Sequence, residues 1–373
     1  MKKTNVIFLF FFILMTFAPL PVFSLFREQI GYKNTENKAE TGFPELDRSN
    51  YSTWPRRFEE WLSDNLPFKT QFIELFRGFQ LQSGLDFTQS NVIRGNGGQL
   101  FYRTTVENYK GISRFSEDDL KTIRNHLEEF FGRMEAQGAE CLLYIAPDKE
   151  QVYSDFMPEY IRRITEESRA DQTVTYLTQQ DSFPVIYPKP QLKEWSRTLP
   201  VYYNTDTHWN FLGGWFASEQ VKSLFRGEPE STEIPQFHYN ESRGKDLAGM
   251  LGLSEKMPEQ NAVWVDYNDG ITVWKPESID HGRIQRYASD STEHKKLLLI
   301  GDSFAEYFMQ SAIHNLNEIL FVTYGDLYKI DLSAEKPDYV VVMLVERNLP
   351  FLLNGLYLNE RECCLQIKTA PAV

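Results

Sequence analysis

The stretch that most constrains the fold is residues 295–308, KKLLLIGDSFAEYF. Four apolar residues, Leu297 to Ile300, run directly into Gly301-Asp302-Ser303, and a helix-like segment follows from Ala305 to about Asn315. A short apolar run bounded by glycine reads as a strand buried on both faces, the habit of a parallel sheet in an α/β protein. Ser303 then stands at the C-terminal edge of the sheet, where a helix starts. The first helical N–H groups there are unpaired and can meet a developing oxyanion. Gly301 lets the backbone turn sharply without a Cβ clash. The competing reading of Gly-Asp-Ser is a plain turn or helix cap, so a nucleophile at this place needs a base elsewhere in the chain.

A base is found upstream, in Tyr202-Tyr203-Asn204-Thr205-Asp206-Thr207-His208-Trp209-Asn210. In an extended segment, residues two apart point to the same side. The Asp206 carboxylate then reaches Nδ1 of His208, which leaves Nε2 as proton acceptor and stabilises the imidazolium when it forms. The bland alternative is a structural His capped by its neighbouring Asp. Taken together, the two stretches favour a Ser303–His208–Asp206 triad.

The rest of the chain supplies a parallel sheet. Ser116 to Asp119 reads as a capping box with Asp in place of Glu or Gln, opening a helix that Gly138 ends. An apolar strand, Cys141–Ala146, follows, and strand-like runs recur at Ile319–Thr323 and Tyr339–Val345. Lys149 sits just past the first of these strands. It either faces the site or forms an ion pair that fixes the turn. Residues 54–82 read as helical, and the stripe Phe72, Leu75, Phe76, Phe79 reads as a packing face. Residues 226–292 show only short strand-like pieces and read as an insertion, a lid or substrate groove.

GDSF after an apolar strand, with TDTHWN upstream, resembles the SGNH-hydrolase-like domain of the AlgX/AlgJ type. Three further stretches are similar to that family: Ile145 to Lys149, Gly98 to Gly111, and Trp54 to Pro67. The resemblance covers about residues 50–350. It implies a flavodoxin-like parallel sheet between helices, with the catalytic motifs in permuted order: ordinary SGNH enzymes place Ser before His, and here Asp-x-His comes first. Ordinary members also use a Gly and an Asn after later strands as oxyanion donors. By position, Gly325 and Asn348 are the nearest matches, and Arg347 could orient a substrate carboxylate or pair with Glu346. The family serves polysaccharide O-acetylation, with acetyl delivered by a membrane-bound O-acyltransferase partner.

The N-terminus, MKKTNVIFLFFFILMTFAPLPVF, has two lysines and then an uncharged apolar run over residues 6–23. It reads as a membrane anchor over 1–26 with the remainder outside the cytoplasm; a cleaved signal peptide is the alternative. Residues 27–50 are polar and aperiodic, a tether to one domain over 51–370. A net charge of −13 argues against nucleic acid and against an anionic polysaccharide, unless basic residues cluster. None of the six histidines forms a His-x-His, His-x-x-x-His or Cys/His group, so no metal is expected. No cofactor is called for, and the absent Gly-x-Gly-x-x-Gly disfavours a nucleotide.

The expectation is therefore an extracytoplasmic O-acetyltransferase that moves acetyl through an acyl-serine onto an exported polysaccharide. An acetylesterase shares the chemistry up to the acyl-enzyme. A non-catalytic polysaccharide-binding protein is the remaining alternative, and it holds if the three residues do not converge.

Overall fold

The computed structural model describes residues 3–17, 42–47, 51–64, 69–179, 183–231 and 233–356. The chain divides into two compact units, residues 1–92 with 248–257, and residues 93–247 with 258–373.

The first unit is helical, with α1 (Lys3–Phe17), α2 (Trp54–Asp64) and α3 (Lys69–Gln82). Helix α1 lies within the segment read as an anchor over 1–26, whose residues 1, 2 and 18–26 lie outside the described residues. No helix among the described residues is long and apolar enough to cross a membrane. Along α2, Trp54 stacks on Phe58, and Phe43 packs edge-on against Trp61. On α3 the expected packing stripe is not buried: Phe72, Leu75, Phe76 and Phe79 are all exposed. Helical periodicity identifies an apolar face but not what covers it.

The second unit is built on seven strands: β1 (Glu140–Ala146), β2 (Val185–Ile186), β3 (Glu277–Ser278), β4 (Ile284–Ala288), β5 (Lys296–Gly301), β6 (Glu318–Thr323) and β7 (Tyr339–Val345). Their order is β2-β1-β7-β5-β6-β4-β3. The five from β2 to β6 are parallel, and β4 and β3 add an antiparallel edge. The α/β sheet expected from the apolar runs is thus present. Its antiparallel edge comes from the 226–292 stretch, part of which joins the sheet.

Alternation along the central strands divides the core in two. Leu297 and Leu299 of β5 face helices α6 (Phe211–Arg226) and α7 (Ala305–Ala312) in one core. Leu298 and Ile300 face α4 (Glu117–Glu135) and α5 (Arg169–Thr178) in the other. With both faces covered, every residue must be apolar, which is why these strands read as unbroken hydrophobic runs. Helix α4 opens with the expected capping box: Ser116 and Asp119 each accept from the other's backbone N–H. Helices α6 and α7 cross closely. A Cβ on Gly214 would lie 2.5 Å from the backbone of Tyr307, so only glycine permits this approach.

Candidate active site

Strand β5 ends in the middle of the sheet. The chain proceeds from β5 to β6 on one side, then crosses to β7 on the other. This reversal opens a crevice at the C-terminal ends of the strands, the place where open α/β sheets bind ligands. Ser303 occupies the turn between β5 and α7 and is exposed.

Gly301 is required here for a different reason from the sharp turn expected. Its φ is not positive. A Cβ at Gly301 would instead sit 2.7 Å from the carbonyl oxygen of Met343 on β7. Close strand approach is the constraint. The turn itself is held by Asp302. Its Oδ1 accepts from the Phe304 N–H at 3.0 Å. Its Oδ2 accepts from the Val345 N–H and from Nδ2 of Asn348, both at 2.8 Å. One carboxylate thus fastens the nucleophile turn to the end of β7. The Ser303 N–H has no hydrogen-bond acceptor among the described residues.

The Asp-x-His segment is a loop, not an extended strand. Tyr202 and Trp209 close it as an antiparallel bridge. Within it, Asp206 Oδ1 accepts from the His208 backbone N–H at 3.1 Å and lies 2.7 Å from His208 Nδ1. This local side-chain-to-backbone bond brings the two groups together, in place of the alternation of a strand. On the other side of the ring, His208 Nε2 is 2.7 Å from Ser303 Oγ. The structure therefore brings Ser303, His208 and Asp206 into one hydrogen-bonded run. Burial raises the Asp206 carboxyl, but the hydrogen bonds and charge of His208, with Lys245, outweigh it and hold its pKa below the ordinary value. The indole N–H of Trp209 donates to the Phe304 carbonyl at 2.9 Å, which pins the histidine loop to the serine turn.

Two buried charges shape that loop. Glu259 accepts from the N–H groups of Asn204 and Thr205, each at 2.8 Å, and from the Thr205 hydroxyl. Lys149 Nζ donates to the carbonyls of Leu100 and Asn204 at 2.8 Å and of Asp206 at 3.2 Å. Lys149 thus does not face the crevice, and its ammonium forms no ion pair among the described residues. It is buried beneath the loop. Burial lowers its pKa to about 7, against the pull of Glu259, Asp206 and Glu150. Its three carbonyl acceptors use all three protons of the charged form.

The other sequence candidates are placed as follows. Asn348 is drawn to the serine turn, but its amide is bonded to Asp302. Arg347 pairs with buried Asp148 at 2.6 Å, not with Glu346, and its guanidinium lies over the Phe304 ring. Gly325 stands on an exposed turn after β6, and no contact joins it to the triad among the described residues. No group of three His, Cys, Asp or Glu side chains suited to a metal occurs among the described residues.

Sequence reasoning missed Asp302 and Glu259. Asp302 carried a signal: an Asp just before a helix commonly bonds backbone N–H groups ahead of it. Glu259 carried none for this role, because the loop residues it holds, Asn204 and Thr205, lie more than 50 positions away. Asp302→Asn leaves one oxygen where two are in use and sets an amide against a donor. It is expected to lower stability by about 1–3 kcal/mol. Urea unfolding measures this, and an unchanged midpoint would contradict the role given to Asp302.

The family model described as SGNH hydrolase-like domain, acetyltransferase AlgX, matches residues 92–319. No curated protein matches the chain. Among solved structures, a DHHW family protein from Eubacterium siraeum DSM 15702 aligns with a TM-score of 0.52 at 14% identity, over 72% of this chain and 97% of its own. Bacillus cereus PatB1, solved with a sulfonyl adduct, gives 0.51 at 12% identity, over 69% and 97%. The O-acetyltransferase domain of Pseudomonas putida AlgJ gives 0.46 at 16% identity, over 70% and 93%. The first two likenesses agree with the fold described above. The family match spans more than half of the chain, and the chain belongs to the family of the SGNH hydrolase-like domain of the acetyltransferase AlgX.

Proposed function

We propose that this chain is an O-acetyltransferase that acts outside the cytoplasm and carries acetyl as an ester of Ser303 to hydroxyls of an exported polysaccharide. The observation that carries this reading is the hydrogen-bonded run Ser303–His208–Asp206 on the domain of an acetyltransferase family. In the first half-reaction, Ser303 Oγ attacks the donor carbonyl and His208 Nε2 takes the hydroxyl proton. Asp206, kept ionised, stabilises the imidazolium. The Ser303 N–H faces the oxyanion. His208 then returns the proton to the leaving group, and Ser303 holds the acetyl. In the second half, a sugar hydroxyl gives its proton to Nε2 and attacks the ester, which releases Ser303.

The apolar N-terminal segment supports a tether at the outer face of the inner membrane, beside a membrane-bound O-acyltransferase that supplies the acetyl. Ser303 is exposed, which favours one second reading, an acetylesterase in which water discharges the ester. The test is to treat the protein with an activated acetyl ester and follow acetyl on Ser303 by intact mass. Faster discharge with a polysaccharide than with water alone is the expected result. Equal rates would establish the esterase instead.

A further inference from the structure

Helix α7 carries one face away from the nucleophile. Ser303, Tyr307, Gln310 and His314 follow at helical spacing, so they share a side of the α7 turn and its short continuation. At 1.5 Å per residue, Gln310 and His314 lie about 10–16 Å from Ser303 along the helix. The last two line a groove of about 540 Å³. This falls within the span of roughly 300–1,000 Å³ typical of small-ligand sites.

The groove wall is aromatic. Trp264 is 46% exposed, and its ring lies 4.6 Å from Phe211. Phe211 in turn lies 5.0 Å from Tyr307, which joins the groove to the helix turn beside Ser303. Tyr267 stacks on His314 at 3.9 Å. Among these rings, the Gln310 side-chain amide has no protein partner among the described residues. Flat apolar faces beside the Gln310 amide suit the C–H faces and hydroxyls of a sugar ring.

Charge narrows the ligand. None of the described residues lining the groove is Lys or Arg. Asp266 supplies a carboxylate that the His238 ring meets at 3.1 Å, and His314 is committed to Asp269 at 2.8 Å. A uronate would meet the Asp266 carboxylate there, and no lysine or arginine among the described lining residues would pair with it.

We propose that this groove binds uncharged sugar residues of the acceptor, so that a hydroxyl further along the same chain reaches Ser303. The proposal rests on the acetyl-acceptor reading above, and its test is kept separate from that chemistry. The full chain with Ser303→Ala is titrated by calorimetry with hexamers of glucose, of N-acetylglucosamine and of mannuronate. One of the two neutral hexamers is expected to bind, with the mannuronate hexamer at least about tenfold weaker. Adding Trp264→Ala is expected to weaken the neutral hexamer about tenfold. Adding Gln310→Arg is expected to tighten the mannuronate hexamer, and it carries the test if the Trp264 variant unfolds. Equal or tighter binding of mannuronate to the parent, no binding of any hexamer, or unchanged affinities in both variants would overturn the proposal. If wild-type protein never acquires acetyl on Ser303, the transferase reading fails while the groove remains a sugar site.

Discussion

Replacing Ser303 by Ala is expected to abolish acetyl transfer and leave the fold in place. The hydroxyl accepts no buried structural bond: it is exposed, and its partner is the Nε2 of His208. Stability should change by less than about 1 kcal/mol, as for other surface substitutions. Turnover of an acetyl ester should fall by about 10⁴- to 10⁶-fold, because removing the nucleophile of such a triad removes the covalent route altogether. The measurement is steady-state turnover, paired with intact mass to look for the acetyl adduct. Turnover at the wild-type rate from a folded variant would remove Ser303 from the mechanism and return the chain to a binding role.

Lys149→Met is expected to act mainly on stability, and more strongly than any exposed change. Methionine keeps the length and the apolar stem but brings no donor. Three buried carbonyls lose their ammonium, and Glu259 and Asp206 lose a nearby positive charge. Removing the ammonium also relieves the cost of burying it, which offsets part of the loss. Breaking a buried charge cluster on one side still costs about 3 kcal/mol or more. For a unit of this size that corresponds to a melting temperature lower by about 6 °C. Turnover should fall too, since the loop that carries Asp206 and His208 is loosened. A melting temperature within about 1 °C of the parent would show that the clamp contributes nothing.

The fold was readable where one residue run decides one element. Strands β1, β5, β6 and β7 are buried on both faces, so their letters alone mark them. Strand β4, with Gln285 and Arg286 in its middle, lies near the sheet edge and has no such signature. The two motifs of the candidate site are each local, and so were legible. Even there the physical cause differed from the expected one: an Asp-to-backbone bond, not strand alternation, joins Asp206 to His208, and strand contact, not a turn, demands Gly301. What stayed hidden depends on the tertiary fold. The pairing of Arg347 with Asp148 spans 199 positions, and the Leu100–Lys149 bond spans 49. The exposed stripe on α3 is the converse case, in which periodicity is present and its partner surface is not.

In the loop between Tyr203 and His208, the N–H groups of Asn204 and Thr205 turn to Glu259, and the carbonyls of Asn204 and Asp206 turn to Lys149. Water near a forming imidazolium must reorient, and that reorientation is a part of the barrier in solution. The peptide groups held by Glu259 and Lys149 are fixed in orientation, so under the proposed mechanism this part of the medium around His208 is set before charge would appear on the ring. For the proposed reaction, part of the solvent would be a piece of backbone whose orientation is settled when the chain folds.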